Sequence, residues 1–174
     1  MPKDLHENIC KEHIFSGIYN KYLKDLSSFL YYKYGERLNP NDKAQEAFIK
    51  LWEHCKKVTL QTAKAFLFKT ANNMMLNEVK HQKVVLKYEK EGAKSYTNES
   101  PEFILLQEEF LKQYQQALAN LTEEQRVAFM LNKAEGKKHS EIAEMLGVTQ
   151  KVVEYRIYSA FKQLKEQLGD FKLK

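Results

Sequence analysis

Turn formers are scarce in this chain, with 6 glycines and 3 prolines among 174 residues. Those few fall where helices would end, and no stretch sustains the apolar–polar alternation of a half-buried strand. Sheet architectures are therefore set aside, and the whole chain is expected to be helical. Cysteine occurs twice, as Cys10 and Cys55, in no CxxC pair and at no metal-like spacing from the 5 histidines. The expectation is two reduced thiols on helix faces, with no metal site. No run approaches the roughly 18 apolar residues of a membrane-spanning helix. The opening MPKDLHENICKEH is charged where a secretory leader would be apolar, so the expected location is the cytoplasm. A Gly-rich phosphate loop, an HExxH pair and a nucleophile–base pair are missing too. Glu53-His54 and Lys80-His81 stand isolated. No catalytic residue and no cofactor are expected.

What is present is helical periodicity and an uneven charge. The net charge is +5, yet residues 101–174 hold 11 basic and 11 acidic side chains, so the whole excess lies in residues 1–100. A first helix is expected over about Ile9–Tyr34, with Phe15, Ile18, Tyr22, Leu26, Phe29 and Leu30 on one face. Asn39 and Pro40 suit the N-cap and first position of a second helix, about Pro40–Lys56. Its inner face would hold Ala44, Phe48, Leu51, Trp52 and Cys55. Opposite lie Asp42, Gln45, Glu46, Ile49 and Glu53. That arc is either a plain acidic surface or a docking face, and an exposed isoleucine among carboxylates favours docking. A third helix, Thr62 to about Tyr88, would carry Leu67, Ala71, Met74, Met75 and Glu78 on one side. Thr70, Asn73, Asn77 and Lys80 would line another side, a set suited to base edges and phosphates. Residues 87–101 have few apolar groups and read as a linker. Fully extended, such a linker would span about 50 Å.

The second half opens at Pro101 with a helix carrying Phe103, Leu106, Phe110 and Tyr114. Thr122 with Gln125 three residues later marks a capping box, and the helix it starts would run to Gly136. The most specific signal follows, in SEIAEMLGVTQKVVEYRIYSAFKQL. A helix-turn-helix needs a small residue at the helix crossing, here Ala143, and a glycine at the turn, here Gly147. It also needs an apolar inner face on its second helix, here Val153, Ile157, Ala160, Phe161 and Leu164. Thr149 would cap that helix, and Lys151, Glu154, Tyr155, Tyr158 and Lys162 would face outward to a major groove.

On these residues the chain resembles the extracytoplasmic-function sigma factors, small bacterial transcription initiation factors. DKAQEAFIKLWE at 42–53 resembles the family's core-polymerase-binding helix. FLFKTANNMMLNEVKHQK at 66–83 resembles its promoter-melting helix, with Asn73 at the characteristic asparagine. LTEEQRVAFMLNKAEGKKHSEIAEMLGVTQKVVEYRI at 121–157 resembles its minus-thirty-five reader. The resemblance implies two small helical domains: a polymerase-binding and minus-ten domain at 1–86, a linker at 87–101 and a helix-turn-helix domain at 102–174. It implies that Asp42, Gln45, Glu46, Ile49 and Glu53 dock on the clamp helices of core RNA polymerase, and that the flap is a second contact. Loop 54–63 would capture a flipped minus-ten base, with Lys56, Lys57, Thr70, Asn73, Asn77, Lys80 and Lys83 on that DNA. Lys138, Thr149, Gln150, Lys151, Glu154, Tyr155, Arg156, Tyr158 and Ser159 would serve the minus-thirty-five duplex. An anti-sigma factor is the further expected partner, and stable membrane insertion is not expected. The chain departs from the family pattern at Lys138, His139, Val152 and Asn72. A stand-alone helix-turn-helix regulator, binding duplex DNA without polymerase, is the alternative. The acidic docking arc and the lack of a phosphoacceptor or ligand domain argue against it.

Overall fold

The structure, a computed structural model, describes residues 8–78, 84–87 and 100–169. Seven α-helices account for most of them: α1 Glu12–Tyr34, α2 Pro40–Glu53, α3 Ala63–Glu78, α4 Pro101–Asn120, α5 Glu123–Lys133, α6 His139–Leu146 and α7 Gln150–Leu168. A single 3₁₀ turn, Glu36–Leu38, links α1 to α2, and no strand occurs among the described residues. Pro40 takes the first position of α2, but Asn39 enters with φ 50° and makes no side-chain cap.

The first half is a three-helix packing of α1, α2 and α3 around Ile18, Leu26, Leu30, Phe48, Leu51, Leu67 and Met75, all buried. Phe15 and Tyr22 are only half-buried, while Tyr32 and Tyr34 are buried instead. Trp52 departs from the expected inner face of α2. It is 45% exposed, its ring in a T-shaped contact with Phe15 at 5.0 Å between centroids. Glu78 faces outward to pair with Lys43.

The third helix is shorter than its pattern suggests. Val84–Lys87 is not helical and runs back along the end of α1. Glu36 N–H donates to the Val85 carbonyl at 3.0 Å, and Tyr31 Oη donates to the Lys87 carbonyl at 2.7 Å. Two adjacent β-branched residues lower helix propensity there, and Leu86 turns into the core. Gly35 makes the approach possible. A Cβ on it would lie 2.9 Å from the Val85 carbonyl oxygen, and its φ is 81°.

The two cysteines are joined. Cys10 and Cys55 form a disulfide with Cα atoms 5.1 Å apart, across 45 residues of sequence, so the expectation of two free thiols is overturned. Cys10 lies in the turn before α1 and Cys55 just after α2, and packing of those two ends on each other brings the sulfurs together. In the chain-entropy model, closing a loop of that length stabilises a fold by about 4 kcal/mol.

In the second half α5, α6 and α7 pack together and α4 lies against α7. Leu121, Val127, Phe129, Leu131, Ile142, Val153 and Leu164 are buried. The start of α4 reaches past this core. Leu106 is 59% exposed rather than inward, beside exposed Ile104 and Leu105. α5 ends at Lys133 with Ala134 as cap, short of Gly136.

The halves meet where α5 packs on α1. Arg126, 2% exposed, is the one charged residue buried among the described residues. Its Nε donates to the Tyr32 carbonyl at 2.7 Å, Nη2 to Lys33 at 3.0 Å and Nη1 to Leu121 at 3.2 Å. Two of those acceptors are carbonyls of the last turn of α1, which lack intrahelical partners and carry the negative end of the helix dipole. Tyr32 Oη donates to Glu135, Lys137 pairs with Asp25 at 2.8 Å, and Lys64 pairs with Glu144 at 3.5 Å.

Candidate functional site

The helix-turn-helix is built by local chemistry. α6 ends on Gly147 in the left-handed region, φ 66° and ψ 35°. The N–H groups of Gly147 and Val148 both donate to the Ala143 carbonyl. No atom stands within 4 Å of a Cβ added at Gly147, so conformation rather than space asks for glycine. Thr149 Oγ1 then accepts from the Val152 N–H at 3.3 Å and starts α7. At the other end of α6, the backbone N–H of Lys138 donates to the Glu141 carboxylate at 2.8 Å. Ala143 is buried at the helix crossing, and Val153, Ile157, Ala160 and Leu164 form the inner stripe of α7. Phe161, expected in that stripe, is 37% exposed at its edge.

The outer face of α7 mixes aromatic and charged side chains. Tyr155 is 72% and Tyr158 68% exposed. Gln150, Lys151 and Lys162 are exposed beside them, and Lys138 and Thr149 lie at the adjoining turns. Two of the expected readers are engaged elsewhere. Arg156 is half-buried, with Nη2 3.3 Å from Glu124 of α5, and Glu154 sits 3.6 Å from His139. Ser159 is half-buried.

On the first half, Asp42, Gln45, Glu46, Ile49 and Glu53 are all exposed on one side of α2, and Ile49 is 59% exposed. Ala44, Ala47, Phe48 and Leu51 are buried on the other side. Lys43 bridges Glu46 to Glu78 of α3. Those two hydrogen-bonded carboxylates raise the Lys43 pKa above its ordinary value. Asn73 and Asn77 are exposed on α3, Thr70 is half-buried, and Lys56 and Lys57 are exposed in the loop after α2. Lys80 and Lys83 lie outside the described residues, as does 88–99 of the expected linker. Asn72 faces the end of α1, where its Oδ1 accepts from Lys33 Nζ at 2.7 Å and from Tyr34 Oη. Burial lowers the pKa of Lys33 and raises that of Tyr34. Among the described residues no cluster of three or more His, Cys, Asp or Glu could hold a metal.

Nothing in the sequence pattern marks Arg126. On a helical wheel it lies within the apolar arc of α5, beside Phe129 and Met130, but its charge reads as surface.

Two family models match the sequence. Residues 18–84 match sigma-70 region 2, and residues 111–164 match sigma-70 region 4. The chain belongs to the sigma-70 family. It is a sigma factor of the extracytoplasmic-function type, which binds core RNA polymerase and directs promoter-specific transcription initiation. The fold agrees. A co-crystal structure of the sigma factor RpoE with the anti-sigma factor NepR from Bartonella quintana matches with a TM-score of 0.60 at 19% identity, covering 91% of this chain and 98% of that one. The RsbN–BldN complex aligns over 90% of this chain and 92% of that one, at 15% identity and a TM-score of 0.35, and carries no weight. No curated protein matches the sequence. Among the described residues of this sigma factor no helix is long and apolar enough to cross a membrane.

Proposed function

We propose that this sigma factor divides its work between residues 1–86, which dock on the polymerase clamp helices and open the minus-ten element, and residues 102–174, which read the minus-thirty-five element and meet the flap. Segment 87–101 connects them. The observation that carries the reading is Ile49, exposed among carboxylates on α2 while the opposite face of that helix is closed into the core. A solvated helix face has no need of it, and a partner helix does. Asp42, Gln45, Glu46 and Glu53 surround it as a polar rim.

Loop 54–63 would hold an unstacked minus-ten base, with Lys56 and Lys57 on phosphates and Thr70, Asn73 and Asn77 along the strand. Lys80 and Lys83 extend the same basic segment. On the second half, Lys138, Thr149, Gln150, Lys151, Tyr155 and Tyr158 would meet duplex DNA. Glu154, Arg156 and Ser159 would serve it only after leaving their present contacts. An anti-sigma factor is a proposed partner, since RpoE of Bartonella quintana is bound by one. The proposed location is the cytoplasm, where polymerase works, and the role is non-catalytic.

Copurification with core polymerase, followed by sequencing of the promoters activated in vitro, tests the reading. Nanomolar, sequence-specific binding of this chain to DNA without polymerase would contradict it. A finer test separates the two DNA contacts. Tyr155→Ala removes the most exposed aromatic of α7, at a cost of about 1–3 kcal/mol in duplex affinity, or roughly 5–150-fold. The variant is expected to lose closed-complex affinity yet use a pre-opened bubble template as well as the wild type does. Failure on the bubble template would place Tyr155 in melting instead.

A further inference from the structure

The chain's two cysteines lie at a place the proposed mechanism uses. Cys55 is the second residue of loop 54–63, one past the α2 cap His54. Every hydrogen bond this loop makes among the described residues goes to a residue within four positions: His54 to Lys50, Cys55 to Trp52, Lys57 and Val58 to His54, Thr59 to Thr62 and Phe66 to Thr62. Noncovalent ties farther away are the buried Ala63 at the loop's end, the half-buried Val58 packed on the core and the contact of the His54 ring with Phe66 at 5.8 Å. The covalent tie is the disulfide to Cys10, across 45 residues.

Both cysteines are half-buried rather than sealed, so a thiol can reach them. Ile9, next to Cys10, is 1% exposed. It anchors that segment whether or not the sulfurs are joined, so an opened pair stays close enough to close again. In a thiol-reducing compartment a disulfide within reach of solvent is exchanged rather than permanent.

We propose that Cys10–Cys55 is a reversible redox-modification site whose state sets how firmly loop 54–63 is held for promoter opening. The inference rests on the proposed role of that loop. The reducing agent is a dithiol. One of its thiolates attacks a cysteine sulfur, the S–S bond breaks, and the other cysteine leaves as a thiolate and takes a proton from water. The second thiolate then displaces the first cysteine from the mixed disulfide, giving an oxidised reductant and a protein with two thiols. A peroxide reverses this. A cysteine thiolate attacks one peroxide oxygen, the O–O bond breaks with release of hydroxide, and a sulfenic acid forms. The second thiol condenses with it, expelling water and restoring the S–S bond. The bonded form presents a preorganised loop, and the open form must order it during base capture.

The test uses full-length protein assembled with core polymerase, on promoter fragments selected by in vitro transcription of the source genome. Wild type oxidised with hydrogen peroxide is compared with wild type reduced by dithiothreitol and then freed of it, and with Cys10→Ser, Cys55→Ser and the double variant. Oxidised wild type is expected to open promoters roughly 3–10-fold faster than the reduced form, as for loss of up to about 1.4 kcal/mol of loop order. All three variants are expected to match the reduced rate, and the double variant to ignore both reagents, while core affinity stays the same in every sample. Mass spectrometry with thiol alkylation reads the bond itself, and it is expected to open in a glutathione buffer at cytosolic poise. A bond that survives that buffer, equal opening rates in both states, or a double variant that still responds would overturn the proposal. Loss of core binding or of all transcription in both redox states would overturn the underlying reading of the loop instead, and the alkylation result would stand apart from it.

Discussion

Ile49→Asp is expected to abolish retention on core polymerase while leaving the free protein's melting temperature within about 2 °C of wild type. The stability half of this follows from exposure. A surface substitution away from caps and networks changes stability by about 0.5 kcal/mol, and a protein of this size shifts by about 2–4 °C per kcal/mol. Ile49 is 59% exposed and is not among the buried residues of α2. The binding half follows from where an interface keeps its energy. Truncating a central apolar anchor commonly costs about 1–3 kcal/mol, so Ile49→Ala should weaken core binding roughly 5–150-fold. Aspartate adds an unpaired charge to a desolvated patch that already holds Asp42, Glu46 and Glu53, which pushes the loss beyond the upper end of that range. Surface plasmon resonance against immobilised core polymerase reads the affinity, and calorimetry of the free protein reads the stability. Wild-type affinity for Ile49→Asp would remove α2 from the polymerase interface. A large drop in melting temperature would show that the side chain is structural.

The second large effect is expected at Arg126. Its guanidinium satisfies two carbonyls at the end of α1 and one at the end of α4. Burial lowers its pKa, against the pull of Glu123. Arg126→Met keeps a long apolar stem and removes all three donated bonds. Leaving a buried carbonyl unpaired costs about 1–3 kcal/mol. Closing the two halves without the guanidinium would bury the Tyr32 and Lys33 carbonyls unpaired. Separation, which lets water reach them, then becomes the better solution. Small-angle scattering is expected to show a larger radius of gyration for Arg126→Met than for wild type, and calorimetry is expected to show two unfolding transitions in place of one. Arg126→Lys, with one charged donor group, is expected to fall between them. An unchanged radius and a single transition at the wild-type temperature would show that apolar packing of α5 on α1 holds the halves together unaided.

What was legible in the sequence was local. The Thr122–Gln125 capping box, the Thr149 cap and the left-handed Gly147 each depend on atoms a few residues apart, and each stands where its residues place it. The inner stripes of α2, α3 and α7 were readable from helical spacing, except at the arc edges. There Trp52 and Phe161 are exposed because coverage depends on how far a neighbouring helix reaches. The end of α3 was misjudged for a related reason. Residues 84–87 pair with the end of α1 across some fifty positions, and no window of local periodicity contains that partner. The disulfide and the Arg126 network are wholly tertiary. Either one becomes visible only when α1 has met α2 or α5. For the candidate site, the exposure of the α2 arc and of the outer face of α7 was legible, while the diversion of Arg156 to Glu124 and of Asn72 to Lys33 was not.

The end of α1 carries one more implication. Tyr31 holds the Lys87 carbonyl, from which the chain departs toward the second half, and the next two carbonyls, of Tyr32 and Lys33, are those that Arg126 grips. The second half begins at α4, whose start lies a 20-residue helix, about 30 Å, from the Leu121 end that Arg126 holds, and the dozen residues at 88–99 join that start to Lys87. A short tether of this kind keeps its two ends at an effective concentration on the order of millimolar. Any outside protein that inserts between α1 and α5 competes with that built-in ligand, so its apparent affinity is lowered by the closed-to-open ratio. On the proposed reading polymerase faces no such competitor at α2, whose arc of Asp42, Gln45, Glu46, Ile49 and Glu53 is exposed in the closed form. First contact with polymerase can then precede opening, and only contacts that the open form alone can make shift the balance toward separation.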